Sequence, residues 1–268
     1  MPVLDKITSL QNTRVKDVVK MHRSKARRSS GLIIVEGFRE IMLALEAGLA
    51  TEYLMVCPEL LPESIVSRVQ NLIHPNNCFE VNPKVFAKMA YRENSDGMLA
   101  VIKTHNLLPE EIKLSANPLL IVLESVEKPG NLGAILRTAD AANADAVIVC
   151  DPLTDIYNPN VIRSSLGCVF TKQVVACSSE EALKWLCNNK IRPVAAALTA
   201  TSAHYDVDLA APLAFILGTE ATGLSDFWLK NASNQVKIPM LGKIDSLNVS
   251  NSAAVLLYEA LRQRMPSS

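Results

Sequence analysis

Three short stretches concentrate the side chains of this chain that can do chemistry. The first is Glu124-Ser-Val-Glu-Lys-Pro-Gly130-Asn131-Leu-Gly133-Ala-Ile-Leu-Arg137. Its glycines let the backbone turn tightly and approach a ligand. Asn131 opens a helical pattern that carries Arg137, and free N–H groups at a helix start attract anions. The same spacing also suits a capped helix with a surface arginine, and it is not the dinucleotide fingerprint GxGxxG. The second stretch, Gly218-Thr-Glu220-Ala-Thr-Gly223, can wrap a ligand with backbone groups or simply form a strand-to-helix turn capped by a hydroxyl. The third runs Ile238-Pro-Met-Leu-Gly242-Lys-Ile-Asp-Ser246-Leu-Asn248-Val-Ser250-Asn251. Its small polar residues Ser246, Asn248, Ser250 and Asn251 exceed what one helix cap needs. No serine–histidine pair, paired carboxylates or metal cluster accompanies these stretches, so they fit group transfer from a bound cofactor better than hydrolysis.

The elements that must position them follow from apolar patterning. Leu119–Leu123, Ala146–Val149, Val194–Leu198, Leu213–Leu217 and Val236–Ile238 are continuous apolar runs, as in strands of a parallel sheet covered on both faces. Helical spacing over Leu132–Ala142, Glu180–Cys187 and Val249–Arg264 supplies the crossovers of a βαβ fold. Each chemical stretch follows a predicted strand, which directs all three to the carboxyl edge of one sheet. In front lies a smaller α/β unit. It has helices near Leu10–Met21, Arg39–Ala47 and Ser64–Leu72, and strands at Leu32–Val35, Tyr53–Val56 and Met98–Ile102. The polar, proline-bearing stretch 106–117 reads as a linker, giving domains at 1–105 and 118–268.

The composition is that of a globular protein, 49% hydrophobic and 20% charged. No run is long enough to cross a bilayer, and Met-Pro-Val-Leu-Asp-Lys lacks the order of a signal peptide. A cytoplasmic location is therefore expected. Six cysteines without CxxC pairs and four scattered histidines predict no metal. The net charge is zero but unevenly spread. Residues 1–105 hold 14 Lys/Arg against 11 Asp/Glu, and residues 106–268 hold 13 against 16. Arg14, Lys16, Lys20, Arg23, Lys25, Arg27 and Arg28 face only Asp17, which suits either a phosphate-contacting patch or a solvated helix face.

In this order, the three stretches resemble the SpoU/TrmH family of SPOUT methyltransferases. Asn131, Gly133 and Arg137 match its N-x-G-x-x-x-R motif. Gly218-Thr-Glu-Ala-Thr-Gly223 is similar to G-N-E-G-x-G, with Thr219 and Ala221 departing from it. Residues 238–250 are similar to I-P-M-x-G…S-L-N-V-S. The likeness covers residues 118–264. In front, Ser9–Asn12, Lys25–Arg28 and Val35-Glu-Gly-Phe-Arg-Glu40 resemble the family's substrate-binding domain.

The resemblance implies a parallel-sheet catalytic domain with a deep trefoil knot, a homodimer packed through the helices after the first and third motifs, and S-adenosylmethionine as methyl donor. Leu198, Thr199, Gly218, Thr219, Glu220, Gly223, Ile238, Met240, Ser246 and Leu247 would hold that cofactor. Arg137 would be the central residue in methylation of an RNA ribose 2′-hydroxyl, gripping phosphate and stabilising developing alkoxide, since arginine keeps its proton. Asn131, Glu124, Ser246 and Asn248 would orient the hydroxyl or Arg137. Arg14, Lys16, Arg23, Lys25, Arg27, Arg28, Arg39 and Arg163 would contact the RNA, with ribosomal RNA preferred to transfer RNA. Asn158 fits the RNA-facing segment or a helix cap. Two alternatives remain at this point: a non-catalytic RNA-binding or assembly protein with the same fold, and a dinucleotide-dependent oxidoreductase.

Overall fold

The computed structural model describes residues 4–70, 72 and 76–265. The opening residues 1–3 of the signal-peptide argument, and residue 71 of the helix expected over 64–72, lie outside them. In chain order the elements are β1 (Asp5–Ile7), α1 (Thr13–Met21), α2 (Ser24–Ser30), β2 (Leu32–Glu36), α3 (Phe38–Glu46), β3 (Thr51–Val56), α4 (Glu63–Gln70), β4 (Cys78–Val81), α5 (Pro83–Met89) and β5 (Met98–Lys103). Then come β6 (Leu119–Glu124), α6 (Pro129–Ala141), β7 (Ala146–Cys150), α7 (Pro159–Ser164), α8 (Cys168–Thr171), β8 (Gln173–Cys177), α9 (Ser179–Asn188) and β9 (Arg192–Ala196). Last are β10 (Ser202–Ala203), β11 (Leu213–Leu217), α10 (Asp226–Asn231), β12 (Asn234–Lys237) and α11 (Val249–Arg264). They fall into two compact units, Met1–His105 with Tyr157–Thr171, and Asn106–Ile156 with Lys172–Ser268.

The first unit is a mixed sheet in the order β1-β4-β3-β5-β2. Its core joins Val15, Val18 and Met21 of α1 to Phe79, Val85, Phe86 and Leu99. Residues 157–171 pack here, although in sequence they fall within the segment 118–268. The reason is apolar burial: Val161 and Ile162 of α7 and Val169 of α8 are buried, with α7 beside β2 and α8 beside α3. Gly167, at φ +84°, sits where a Cβ would come within 2.7 Å of Leu43.

In the second unit every strand pairing is parallel, in the order β10-β12-β9-β11-β6-β7-β8. Every residue of β6, β7 and β11 is buried, as the unbroken apolar runs require. Helix α9 starts on a capping box, Ser178 with Glu181, and α6 starts with Pro129 in its first turn. Trp228 of α10 is fully buried and donates its ring N–H to Ser179 Oγ (3.1 Å).

The stretch 106–117 is not a free linker. Leu107 bridges to Val175, Ile112 is buried in the core, and Lys113 exchanges hydrogen bonds with the Gln173 side chain (2.8 Å each). Its apolar Leu107, Ile112 and Leu114 pack with the core that holds Val175 of the edge strand β8, a strand not among those expected. No helix among the described residues is long and apolar enough to cross a membrane.

Candidate active site

Register explains why the chemical stretches meet. Leu217 of β11 lies opposite Leu123 of β6, so the first and second stretches leave neighbouring strands at the same level. Val236 of β12 lies opposite Ala196 of β9, so residues 197–199 and 238–240 also emerge side by side. Between these loops lies a cleft of about 580 Å³, within the size range of sites that bind small ligands. All ten residues expected to hold a cofactor line it: Leu198, Thr199, Gly218, Thr219, Glu220, Gly223, Ile238, Met240, Ser246 and Leu247. Asn248 lines it too, as does Asp245, whose carboxylate accepts from Ser246 Oγ (3.1 Å).

The loop 218–223 is shaped by close backbone approach. A Cβ on Gly218 would run into the carbonyl of Gly223, and Gly223 itself has φ +70°. Thr219 and Gly223 exchange backbone hydrogen bonds, and Thr219 Oγ1 accepts from the Thr222 N–H (3.1 Å). A threonine at 219 therefore closes this turn with its own hydroxyl. Ala221 is not among the residues at positive φ, so its methyl is accommodated.

Glu220 ties the three stretches together. Its carboxylate accepts from Asn131 Nδ2 (2.8 Å), Asn248 Nδ2 (2.5 Å) and Lys128 Nζ. Asn248 also caps α11, its Oδ1 accepting from Ser250 N (2.9 Å) and Oγ (2.6 Å). The hydrogen bond from Lys128, then that from Asn131, holds the Glu220 carboxyl below the usual carboxylate range. The same bond raises the Lys128 ammonium above its ordinary value. Lys128 was missed in the sequence, although it stands only three residues before Asn131.

Two residues expected at the reaction are placed differently. Glu124 is buried at the end of β6, and both its oxygens are occupied by Ser225, N–H at 2.8 Å and Oγ at 2.6 Å. It does not line the cleft. Arg137 also lies outside the lining. It is exposed on α6, and among the described residues its guanidinium has no ion pair. Six residues beyond Asn131, it stands about 9 Å further along the helix.

In the first unit Arg14, Lys16, Arg23, Lys25, Arg28, Arg39 and Arg163 are exposed. Arg14 lies over the Phe79 ring (4.3 Å). Arg27 is a correction to the expected RNA contacts. It is 2% exposed, and its Nη1 donates to the carbonyls of Met21 (2.7 Å) and His22 (2.9 Å). It closes the end of α1 and cannot reach a phosphate. Asn158 caps α7 by accepting from Asn160 N (2.8 Å). No disulfide joins any of the six cysteines, and no group of three or more His, Cys, Asp or Glu among the described residues could hold a metal.

Comparison with known proteins supplies the class. Residues 118–258 match the SpoU rRNA Methylase family, and residues 12–100 match the MRM3-like substrate binding domain. The chain belongs to the SpoU rRNA methylase family. It is an S-adenosylmethionine-dependent RNA 2′-O-methyltransferase. A solved RNA 2′-O ribose methyltransferase is 40% identical, with TM-score 0.85, covering 97% of this chain and 99% of its own. An AdoMet-bound rRNA methyltransferase from Sinorhizobium meliloti is 26% identical, with TM-score 0.88, covering 98% and 99%. A 23S rRNA (uridine(2479)-2′-O)-methyltransferase from Streptomyces viridochromogenes is 30% identical over 98% of this chain and 94% of its own. The cleft fits the cofactor of this family by its size, its backbone-lined loop and the apolar walls given by Leu198, Ile238 and Leu247.

Proposed function

We propose that the protein methylates a ribose 2′-hydroxyl of ribosomal RNA, with the cofactor held in the cleft between the strand-end loops. The observation that carries this reading is the meeting of Asn131, Glu220 and Asn248, one from each stretch, at a cleft lined by all ten expected cofactor residues. When bound there, S-adenosylmethionine supplies an activated methyl group. The chain's residues must then bring one sugar oxygen into line with it. Ser246 and Asn248 present a hydroxyl and an amide at the cleft. Glu220, whose carboxyl Lys128 and then Asn131 hold below the usual carboxylate range, accepts from both asparagine amides and so fixes them rather than serving as a free base. Arg137, exposed on α6 and without an ion pair among the described residues, grips the phosphate beside the reacting ribose and stabilises negative charge as it develops on the oxygen.

The first unit holds the RNA through Arg14, Lys16, Arg23, Lys25, Arg28, Arg39 and Arg163. Two copies pair through α6 and α11, which pack on each other and leave Tyr258 exposed. The trefoil knot belongs to the same reading. It is supported by β12 lying towards one sheet edge while α11, the next element, packs on α6 and β11 near the centre. A cytoplasmic location belongs to the same proposal, supported by relatives that act on 23S rRNA.

The test is Arg137→Ala. It should fold, dimerise and bind S-adenosylmethionine by calorimetry, yet lose methyl transfer to a 23S rRNA transcript by about a hundredfold or more. Near-wild-type turnover would refute the role of Arg137. Absence of any 2′-O-methyl change in ribosomal RNA from cells lacking the protein would refute the substrate.

A further inference from the structure

The motif Val35-Glu-Gly-Phe-Arg-Glu40 has no part in the chemistry above, yet the first unit commits two buried carboxylates to it. Glu36 is 6% exposed and Glu40 is 4% exposed. Both act on one surface loop. Glu36 Oε2 accepts the backbone N–H of Tyr91 (2.7 Å) and Arg92 (3.4 Å), and Glu40 Oε1 pairs with Arg92 Nη2 (2.5 Å). Gly37 is required at that point, since its φ is +104° and a Cβ would lie 2.5 Å from Glu40 Oε2 and 3.0 Å from Arg92 Nη1. The far end of the loop is pinned as well, by Asp96 accepting from the N–H of Phe38 (2.7 Å).

Burying carboxylates is costly, and such groups are retained where they fix a geometry. What this anchorage fixes at the surface is the ring of Tyr91, 45% exposed. Tyr91 stacks on His22, with centroids 6.0 Å apart and 26° between planes, inside the range of aromatic pairs. His22 is fixed in turn: its Nε2 lies 2.8 Å from the Met89 carbonyl, which can only accept, so Nε2 carries the hydrogen. Glu36 Oε1 is buried without a hydrogen-bond partner among the described residues. It lines a pocket of about 10 Å³ shared with Tyr91, Arg92, Pro159 and Ile162, enough for one water. Exposed cations adjoin these residues in the chain. Arg23 follows His22, Arg39 stands between the two carboxylates, and Arg163 follows Ile162.

We propose that Tyr91 is a stacking platform for one unpaired base of the RNA substrate, with one face on His22, the other presented to the base, and phosphates held by the neighbouring arginines. The proposal rests on the reading of the first unit as the RNA-holding part. A pre-positioned aromatic ring in a unit that exposes several arginines is what single-stranded RNA recognition uses, since every base has a face to stack.

The test uses the full chain, unmodified and as Tyr91→Phe, Tyr91→Leu and Tyr91→Ala. The ligands are a short single-stranded oligouridylate carrying one central 2-aminopurine and a duplex RNA of the same length. The ring is half-exposed, so the variants should fold by circular dichroism, and Tyr91→Leu keeps an apolar cover on His22. Tyr91→Leu and Tyr91→Ala should bind the single strand about 5- to 150-fold more weakly and lose the fluorescence quench of the stacked base. Tyr91→Phe should keep both. Duplex binding and the salt slope should not change, because no charge is removed. Tyr91→Leu binding and quenching like the unmodified chain would overturn the proposal, as would Tyr91→Phe failing along with it. Failure of the unmodified chain to bind either oligouridylate or a 23S rRNA transcript would instead remove the RNA-holding reading itself.

Discussion

Glu124 separates a structural carboxylate from a catalytic one, and the two roles predict different variants. Its oxygens receive two hydrogen bonds from Ser225, the residue that opens α10, at a position 9% exposed. Hydrogen bonds to an ionised group contribute about 1.5–3 kcal/mol each, and a buried donor left without a partner costs about 1–3 kcal/mol. Glu124→Ala removes both acceptors together, so with partial resolvation of Ser225 the loss should be about 2–4 kcal/mol. Glu124→Gln keeps one oxygen for the Ser225 N–H and offers an amide N–H to its hydroxyl, so the loss should be about 1 kcal/mol or less. The chain's two tryptophans, Trp185 and Trp228, both lie in the second unit, and Trp228 is on α10 itself. Tryptophan fluorescence in guanidinium chloride therefore reports the relevant unit. With a slope of about 4 kcal/mol per molar, the midpoint should fall by about 0.5–1 M for the alanine variant and by about 0.25 M or less for glutamine. Methyl incorporation into a 23S rRNA transcript by the folded glutamine variant should stay within about threefold of the unmodified protein. An unchanged midpoint with activity down about a hundredfold would refute the structural reading and return this carboxylate to the reaction.

The Glu220 carboxyl is held below its ordinary range by Lys128 first and Asn131 second. A depressed folded value means the stabilisation is fully present above the unfolded value of about 4.3 and is lost as pH falls through the lower folded value. Lys128→Met should therefore move the acid loss of S-adenosylmethionine binding, followed by calorimetry, to higher pH; an unmoved acid limb would show that the ion pair has no such influence. Arg27→Ala should destabilise the first unit by about 2–4 kcal/mol, because the carbonyls of Met21 and His22 lose a buried, charged donor. Arg28→Ala should leave stability unchanged and lower the salt slope of RNA binding by about 0.7–0.9. Hydrogen exchange across α1 and α2 distinguishes these outcomes, and fast exchange in the Arg28 variant alone would reverse the assignment.

The second unit was largely legible because its signals are strong and local. The runs at 119–123 and 213–217 have no polar residue to interrupt them and became central parallel strands. The spacing over 249–264 gave α11 its bounds. Strand β8 was not legible: Gln173-Val-Val-Ala-Cys177 is an edge strand completed by residues 107–114, whose apolar side chains look like scattered loop residues until β8 is there to receive them. The segment 157–171 leaves the second sheet after β7 and returns at β8, yet its apolar residues are buried in the first unit. No periodicity can say which of two cores a short helix joins. Arg27 was misread for a related reason. A basic run says how many charges a helix carries, whereas the 100° step per residue decides that Arg28 faces water and Arg27 turns inward to the end of α1.

The site shows the same division between residue type and placement. Composition and spacing named Asn131, Glu220 and Asn248 individually, and each alone reads as a helix start, a turn or a cap. What makes them one group is strand register: β6 and β11 end level, the chain re-enters at Asn248 as the cap of α11, and a single carboxylate collects all three loops together with Lys128. Glu220 is thus placed to sense whether the three loops are correctly arranged, because displacing any one of them strands a charge or an amide at the cleft. That coupling explains how a turn can carry Thr219 and Ala221 and keep the geometry: the turn is closed locally by the threonine hydroxyl, while the position of the cleft wall is set by Glu220.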